Sequence, residues 1–307
     1  MEKVGAHMTA ALIIAAGQTG GARRFEPEKE VGTLSALKRS VLTFQMAGVE
    51  RIAVVCDGEE DRAEKLIPHM NVVFLHSSHT GEMLESIKTG LSYLQDKCSA
   101  VLISHTDVPL FSVETVKRLL EAEGEICVPV CGGRGGHPIR LSAGQIPGVL
   151  GYDGPDGLAG AIRAAGVERT RLEVDDEGIL ANVRDGRKYE HLISGYEKQG
   201  LRPGFRFQLL GDRPFYGPGA HQLLHLTEET GSLMDACRLM GISYSKGRKI
   251  ISNLERHMDC PVLERTRGGK SGGASTVTEA GKALMETYGA FCQEAEEYLT
   301  QLFSKYF

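Results

Sequence analysis

Residues 10–24 read AALIIAAGQTGGARR, a short apolar run that leads directly into a glycine-rich turn. An unbroken apolar run of this length is typical of a strand buried on both faces, because such a strand has no solvent side to carry polar residues. A glycine-rich turn after a strand lets backbone N–H groups approach phosphates closely. The GxxxxGK[ST] pattern of a P-loop and the GxGxxG pattern of a dinucleotide fold are both missing. A plain strand-to-helix turn is the alternative interpretation.

Short apolar segments and stretches of helical spacing alternate from this strand as far as residue 202. Further strands are predicted at 51–56, 71–75, 100–104 and 125–130. Strands of four to six apolar residues separated by helices are typical of α/β proteins. We therefore predict an α/β domain with a mostly parallel sheet over residues 1–202.

The composition excludes several classes of protein. Hydrophobic residues make up 41% and charged residues 24%, with a net charge of -5, so a globally disordered chain is excluded. No apolar run is long enough to span a bilayer, and we expect neither a membrane segment nor a secretory signal. Seven scattered cysteines predict a reducing cytoplasm rather than a disulfide framework. Cys127 and Cys131 lack a second ligand pair, so no zinc site is expected, and no haem site either.

The pattern changes after a proline- and glycine-rich stretch. Residues 203–219 contain three prolines and several glycines, which predicts a linker. Residues 220–307 then read mainly as helices, with Ser232, Ser243 and Thr278 as candidate N-caps. The sequence therefore predicts a second, mainly helical domain that ends in a long helix.

The second domain has the spacing of a winged helix-turn-helix protein. Residues 230–243 read TGSLMDACRLMGIS, a short helix followed by a glycine-containing turn and a serine that opens the next helix. A glycine-rich hairpin follows that helix and would form the wing. Residues proposed to contact DNA are Ser243, Tyr244, Ser245, Lys246, Arg248 and Lys249 on the helix and Arg265, Arg267 and Lys270 on the wing. The alternative is a helical protein-interaction domain with a charged loop.

Several motifs in the first domain resemble those of the MobA-like nucleotidyltransferases, particularly the molybdenum cofactor cytidylyltransferases. The motifs are LIIAAG at 12–17, AGVERIAVVCDG at 47–58, GEMLESIKTGL at 81–91, ISHTDVPLFSVETV at 103–116 and GGHPIRLS at 135–142. The resemblance implies a Rossmann-like sheet of the nucleotide-diphospho-sugar transferase, or GT-A, type. It also implies transfer of a nucleotidyl group from CTP or GTP to molybdopterin.

The resemblance implies a role for particular residues. Asp107 would be the catalytic residue and would hold Mg²⁺ for a bound nucleoside triphosphate. The nucleotide would contact Ala15, Ala16, Gly17, Gln18, Thr19, Gly20, Ser86 and Asp107, and His137 would face a pterin-type second substrate. Without the resemblance, Asp107 reads as a turn residue, Ser86 as a buried helix serine and His137 as a loop histidine.

Two departures from the family pattern bear on activity. The family's glycine loop contains an arginine and is followed by a lysine. Here Arg23 or Arg24 can replace the arginine only with a shift in position, and Lys29 can replace the lysine only with a longer loop. The family's second acidic segment corresponds to residues 182–189, where Arg184 stands in place of an acid and Asp185 is its neighbour. Asp185 is therefore a second candidate metal ligand.

The second domain resembles the winged helix of the ModE-like regulators, relatives of the LysR-type DNA readers. The motifs GSLMDACRLMGISYSK at 231–246 and GGKSGGASTVTEAG at 268–281 carry the resemblance. It implies binding to double-stranded DNA. Apolar residues of the last helix would pair two copies into a homodimer, with packing inside one domain as the alternative: Leu284, Tyr288, Phe291, Tyr298, Leu302 and Phe303.

Two functions are compatible with these motifs. In the first, the protein is a nucleotidyltransferase of molybdenum cofactor metabolism with a DNA-binding regulatory domain. In the second, the transferase domain has lost its activity and senses an effector within a transcription regulator. The missing acidic segment favours the second function, and the intact Asp107-Val108-Pro109 motif favours the first.

Overall fold

The protein divides into two compact units, which are described separately. In the computed structural model, the described residues are 8–15, 18–19, 23–24, 26–57, 62–68, 70–77, 82–184, 189–197, 203–265 and 274–306. The N-terminal unit comprises Met1–Gln199 and the C-terminal unit comprises Gly200–Phe307. Among the described residues, no helix is both long and apolar enough to cross a membrane.

The N-terminal unit alternates strands and helices. Its strands are β1 (Thr9–Ile14), β2 (Gln18–Thr19), β3 (Arg23–Arg24), β4 (Glu30–Val31), β5 (Leu34–Ser35), β6 (Arg51–Asp57), β7 (Val73–Ser77), β8 (Ala100–His105), β9 (Ile126–Cys131), β10 (Arg134–Gly135), β11 (Ile139–Ser142) and β12 (Arg169–Glu173). Its helices are α1 (Ala36–Met46), α2 (Arg62–Leu66), α3 (Met83–Leu94), α4 (Val113–Glu121), α5 (Ile146–Leu150), α6 (Gly157–Ala164) and α7 (Glu190–Glu197). Two short 3-10 turns lie at Ala143–Gln145 and Glu177–Leu180.

Eight of these strands form one mixed sheet. Its order is β10-β9-β11-β8-β1-β6-β7, with β12 paired to β9. The strands β8, β1, β6 and β7 run parallel, and β11 is inserted antiparallel between β8 and β9. This arrangement confirms the predicted α/β class with a mostly parallel sheet.

Alternate residues of β1 face two different layers of helices. Ala11 and Ile13 pack in a core with α1 and α4, while Leu12 and Ile14 pack with α3, α5 and α6. Successive strand side chains point to opposite faces, so a strand covered by helices on both sides must be apolar throughout. Gly90 lets α3 approach the sheet, since a Cβ atom at that position would collide with the Leu12 side chain.

In its described residues, the C-terminal unit combines four helices with two short hairpins. Its elements are β13 (Leu209–Leu210), β14 (Pro214–Tyr216), α8 (Pro218–Thr230), α9 (Leu233–Leu239), α10 (Tyr244–Met258), β15 (Leu263–Arg265), β16 (Ser275–Val277) and α11 (Glu279–Tyr306). The predicted N-caps are observed, because Ser232, Ser243 and Thr278 each accept a backbone N–H three residues later. β15 and β16 pair antiparallel, as expected for a wing.

The segment predicted to be a linker, residues 203–219, packs within the C-terminal unit instead. Tyr216 is only 2% exposed, and the Tyr288 hydroxyl donates a hydrogen bond to the Phe207 carbonyl oxygen at 2.8 Å. The prolines and glycines of this segment made it resemble a connector. Its aromatic side chains anchor it to α11, and that anchoring depends on contacts distant in sequence.

Candidate functional site

Asp107 lies where the carboxyl ends of the central parallel strands meet. The Thr106 N–H donates to the Ile14 carbonyl oxygen at 3.1 Å, and the Ala15 N–H donates to the Val55 carbonyl oxygen at 2.8 Å. These bonds hold the loop after β8 beside the ends of β1 and β6. Asp107 is 2% exposed. In open α/β sheets this edge is the usual place for a ligand site.

Arg184 forms an ion pair with Asp107. Its Nη1 atom lies 3.0 Å from Asp107 Oδ2, and the arginine side chain is only 10% exposed. The Val183 N–H donates to the Asp107 carbonyl oxygen at 2.8 Å, and the Arg184 N–H donates to Asn182 Oδ1 at 2.9 Å. Main chain and side chain together therefore fix a cation against the carboxylate.

The surroundings of Asp107 have opposing effects on its charge. Burial raises the pKa of the Asp107 carboxyl above its usual value, because a buried carboxylate loses hydration. The Arg184 guanidinium and Lys29 oppose that rise in pKa, and Glu26 adds to it. The segment containing Glu26 and Lys29 therefore belongs to the electrostatic environment of this carboxylate.

The described residues around Asp107 do not fit a magnesium ion. Mg²⁺ prefers oxygen ligands and is usually held by one or two carboxylates with retained waters. Here the carboxylate is paired with a guanidinium, and the described parts of the chain contain no group of three or more His, Cys, Asp or Glu residues suited to a metal. Asp185, the second candidate ligand, lies outside the described residues.

The predicted glycine loop is described only in part. Ala16, Gly17 and Gly20 lie outside the described residues, while the backbones of Gln18 and Thr19 form β2, which pairs with β3. Ala15 is 7% exposed, and its N–H is used by the bond to Val55. That N–H therefore serves the sheet and is not directed at a phosphate.

Ser86 is completely buried on α3. Its hydroxyl oxygen has no hydrogen-bond partner among the described residues. The residue therefore matches the alternative interpretation of a buried helix serine, and a ligand would reach it only if the surrounding side chains moved. The prediction that Ser86 contacts nucleotide is not supported by this geometry.

His137 lines a pocket beside the Asp107 loop. It precedes a cis proline, and its Nδ1 atom lies 3.5 Å from the Ile103 carbonyl oxygen. Its ring meets the His105 ring edge to face, with 4.5 Å between centroids. Burial lowers the pKa of His105 well below its usual value, with contributions from His137 and Arg184, and burial also lowers the pKa of His137. Both imidazoles are therefore neutral near pH 7.

The pocket itself is mainly apolar. It has a volume of about 300 Å³ and lies between α3, α6 and the ends of β1, β8 and β9. Ser104 also lines it, and the Ser104 hydroxyl is buried with no partner in the described part of the chain. The sequence prediction named His137 but missed Ser104 and His105. Their position directly before Thr106 and Asp107, at the carboxyl end of β8, was the signal that would have identified them.

The first turns of α10 present polar side chains to solvent. Ser243, Tyr244, Ser245, Lys246, Arg248 and Lys249 are all exposed. Gly247 faces inward, where a Cβ atom would collide with the Cys237 sulfur of α9, so glycine allows the two helices to pack closely. Ile251 and Leu254 are buried later in the same helix. The polar face therefore extends over two turns, as a reading helix requires.

The predicted wing contacts cannot be placed on this surface. The backbone of Arg265 belongs to β15, and Arg267 and Lys270 lie outside the described residues. The hairpin that would carry them starts at the expected position, since Leu263 pairs with Val277 and Arg265 with Ser275. The roles of the three basic residues in DNA binding stay predictions.

Comparison with known families and structures agrees with this architecture. The chain matches the family model described as "MobA-like NTP transferase domain" over residues 11–170. A nucleotidyl transferase from Methanothermobacter thermautotroptrophicus is 18% identical with a TM-score of 0.53, and the alignment covers 63% of this chain and 99% of that chain. A 4-diphosphocytidyl-2C-methyl-D-erythritol synthase is 16% identical with a TM-score of 0.50, over 61% and 97% of the two chains. These two likenesses show a common fold.

The curated proteins that match include a molybdenum-pterin-binding protein and a transcriptional regulator. The molybdenum-pterin-binding protein MopA of Rhodobacter capsulatus is 33% identical over 76 residues, which is 25% of this chain and 29% of that protein. The transcriptional regulator ModE of Yersinia pestis is 33% identical over 79 residues, which is 26% of this chain and 30% of that protein. The chain therefore spans less than a third of the length of either relative.

Proposed function

The protein belongs to the MobA-like NTP transferases, since the family model covers residues 11–170 of 307, and from this premise we propose that it is a DNA-binding regulator. In this proposal the N-terminal unit binds a nucleoside triphosphate as an effector. The observation that carries the proposal is the buried ion pair between Arg184 and Asp107.

This ion pair favours binding over turnover. Nucleotidyl transfer requires the charge of the triphosphate to be neutralised while pyrophosphate departs, and enzymes of this kind use a divalent cation held by carboxylates. The Arg184 guanidinium already engages Oδ2 of Asp107, and its positive charge opposes the approach of such a cation to the carboxylate. A domain built in this way retains a positive group for phosphate while it loses a carboxylate for catalysis.

The pocket next to the ion pair is suited to the second ligand. Its volume of about 300 Å³ lies at the lower end of the range for small-molecule sites. Neutral imidazoles at His105 and His137 and the Ser104 hydroxyl can exchange hydrogen bonds with a heterocycle. We expect a pterin-type molecule in this pocket, and one curated relative, MopA, is named as a molybdenum-pterin-binding protein.

The C-terminal unit supplies the proposed DNA contact. The motifs at 231–246 and 268–281 resemble those of the ModE-like regulators, and the exposed polar turns of α10 have the chemistry of a reading helix. Four large apolar side chains of α11 are exposed and would pair two copies of the chain: Phe291, Tyr298, Leu302 and Tyr306. A cytoplasmic location completes the proposal, because all seven cysteines are free thiols.

A second candidate function is transfer of CMP or GMP to molybdopterin. It is favoured by the position of Asp107, which follows β8 at the ligand edge of the sheet and lies beside a pocket for a second substrate. In that case Arg184 would have to leave the carboxylate before the reaction.

Pyrophosphate release separates the two functions. Purified full-length protein is given CTP or GTP with Mg²⁺ and molybdopterin, and nucleotide binding is measured in parallel by calorimetry. We expect binding without pyrophosphate release above the level of an Asp107→Asn variant, which controls for contaminating activity. Release well above that control would contradict the regulator proposal and establish the transferase.

A further inference from the structure

We infer that Arg184 replaces the divalent cation of this fold, so that the N-terminal unit binds the phosphates of a nucleotide without a metal ion. The inference rests on the proposed nucleotide site and reverses the expectation that Asp107 holds Mg²⁺. Asp107 becomes a positioning residue, which holds the guanidinium in place and does not contact the ligand.

The first support is the rigidity of the arginine. Asp107 fixes its Nη1 atom at 3.0 Å, and Asn182 fixes its main-chain N–H at 2.9 Å. The neighbouring Val183 N–H is bound to the Asp107 carbonyl oxygen. A side chain fixed at both its head and its backbone loses little further freedom when a ligand binds, and this preorganisation favours affinity.

The second support is the order of burial within the pair. The Arg184 side chain is 10% exposed and the Asp107 side chain 3% exposed, so the arginine is the more accessible side chain of the two. A phosphate approaching from solvent would therefore reach the arginine more readily than the aspartate. The guanidinium has five N–H donors in a planar fork that matches phosphate oxygens, and its described contact with Asp107 is made through Nη1.

The third support is the local charge. Arg184 pairs with Asp107, and among the described residues Lys29 and Glu26 also act on the charge of this carboxylate. These four residues have no net charge together, whereas a magnesium site needs an excess of carboxylate. A divalent cation would also be repelled by the fixed guanidinium. Arg184 and Lys29 attract a phosphate group while Asp107 and Glu26 repel it, so phosphate binding requires the guanidinium to lie nearer the ligand than the carboxylate does.

The test compares nucleotide affinity with and without metal. Full-length protein is titrated with CTP and with GTP, once in EDTA and once in excess Mg²⁺. We expect the same affinity within about two-fold in both conditions for the nucleotide that binds. Binding that occurs only with Mg²⁺ would overturn this inference and leave the proposed nucleotide site standing. No binding of either nucleotide in either condition would overturn both.

Variants distinguish a phosphate-binding arginine from a structural one. In EDTA, Arg184→Gln should lose affinity at least ten-fold, and Arg184→Lys should lose less because it keeps the charge without the fork. The nucleotide affinity of Asp107→Asn should stay within a few-fold of that of the parent protein. The Arg184 cation remains in this variant, and the amide oxygen of the new asparagine can still accept a hydrogen bond from it. Arg171→Gln, an exposed change on β12, should have no effect.

One substitution inverts the metal dependence. Arg184→Asp places a second carboxylate beside Asp107 and should make nucleotide binding depend on Mg²⁺, with at least ten-fold weaker binding in EDTA. Circular dichroism confirms that each variant is folded before titration. If Asp107→Asn abolishes binding in EDTA while Arg184→Gln binds normally, the inference is wrong.

Discussion

At the scale of single residues, the Arg184–Asp107 pair balances a large cost against a large gain. A buried carboxylate loses its hydration, and the guanidinium at 3.0 Å compensates for part of that loss, since the pKa of Asp107 is still raised. Removing one partner therefore lowers the free energy of unfolding by far more than the intact pair contributes to it. This asymmetry gives the pair a measurable signature in stability as well as in ligand binding.

Arg184→Gln should destabilise the N-terminal unit more at pH 7.5 than at pH 5. Removing one partner of a buried pair costs about 3–5 kcal/mol. Burial already raises the pKa of Asp107, and without Arg184 that pKa should rise further. A carboxyl whose folded-state pKa lies above its unfolded value contributes stability at low pH, and that contribution is lost as pH rises through the folded pKa. Urea denaturation at both pH values measures the loss relative to the parent protein.

The double variant Asp107→Asn/Arg184→Gln provides the control for this prediction. It removes both charges of the pair, so its stability relative to the parent protein should be similar at the two pH values. An equal loss for Arg184→Gln at pH 5 and pH 7.5 would show that Asp107 does not respond to the arginine.

The positions of some site residues could be predicted from the sequence, and those of others could not. Asp107 follows an apolar strand directly, so its place at the edge of the sheet was predictable. Its partner Arg184 is 77 positions away, and only the resemblance to the family's second acidic segment indicated that it lies near Asp107; the ion pair itself was not predicted. The burial of Ser86 was equally hidden, because a serine on a helix is compatible with either a ligand site or a core.

At the scale of secondary-structure elements, α10 is the helix whose function is easiest to isolate. Its N-terminal turns are polar and exposed, while its later turns carry the buried Ile251 and Leu254. Lys246 lies in the first turns and Arg256 near the end, about 15 Å apart at 1.5 Å per residue. Both are exposed cations on one helix, which makes them a matched pair for mutation.

Lys246→Ala should weaken the discrimination between a specific DNA site and random DNA. Loss of a base contact costs about 1–3 kcal/mol, whereas Arg256→Ala should leave discrimination unchanged because the end of the helix lies away from the groove. The measurement is a salt-titrated binding assay on full-length protein, with a duplex selected from a random library and a scrambled duplex. Equal effects of the two substitutions would contradict the assignment of α10 as the reading helix.

Elements with a clear physical pattern were predictable, and others were not. The apolar strands β1, β6 and β8 and the serine-capped helices of the C-terminal unit follow directly from local sequence. β12 reads RTRLE and is largely exposed, so no hydrophobic pattern marks it as a strand. β14 was hidden among prolines and glycines, although the burial of Tyr216 makes its segment part of the core.

At the scale of the whole molecule, the proposed function requires one chain to bind both a nucleotide and DNA. Allosteric regulation requires only that the effector binds with different affinity to the DNA-bound and free protein. The coupling is reciprocal, so a nucleotide that changes DNA affinity has its own affinity changed by DNA to the same factor. If nucleotide binding and DNA binding were independent, neither ligand would change the affinity of the protein for the other.

The most direct test is therefore DNA affinity measured with and without nucleotide. Full-length protein is titrated onto its selected duplex in EDTA, first alone and then with CTP or GTP at a concentration that saturates the N-terminal unit in calorimetry. The account predicts a change in affinity of about 5- to 150-fold, the usual range of allosteric coupling. It also predicts loss of that change in Arg184→Gln. Identical DNA affinity in the absence and presence of saturating nucleotide would contradict the claim that this protein is a nucleotide-responsive regulator.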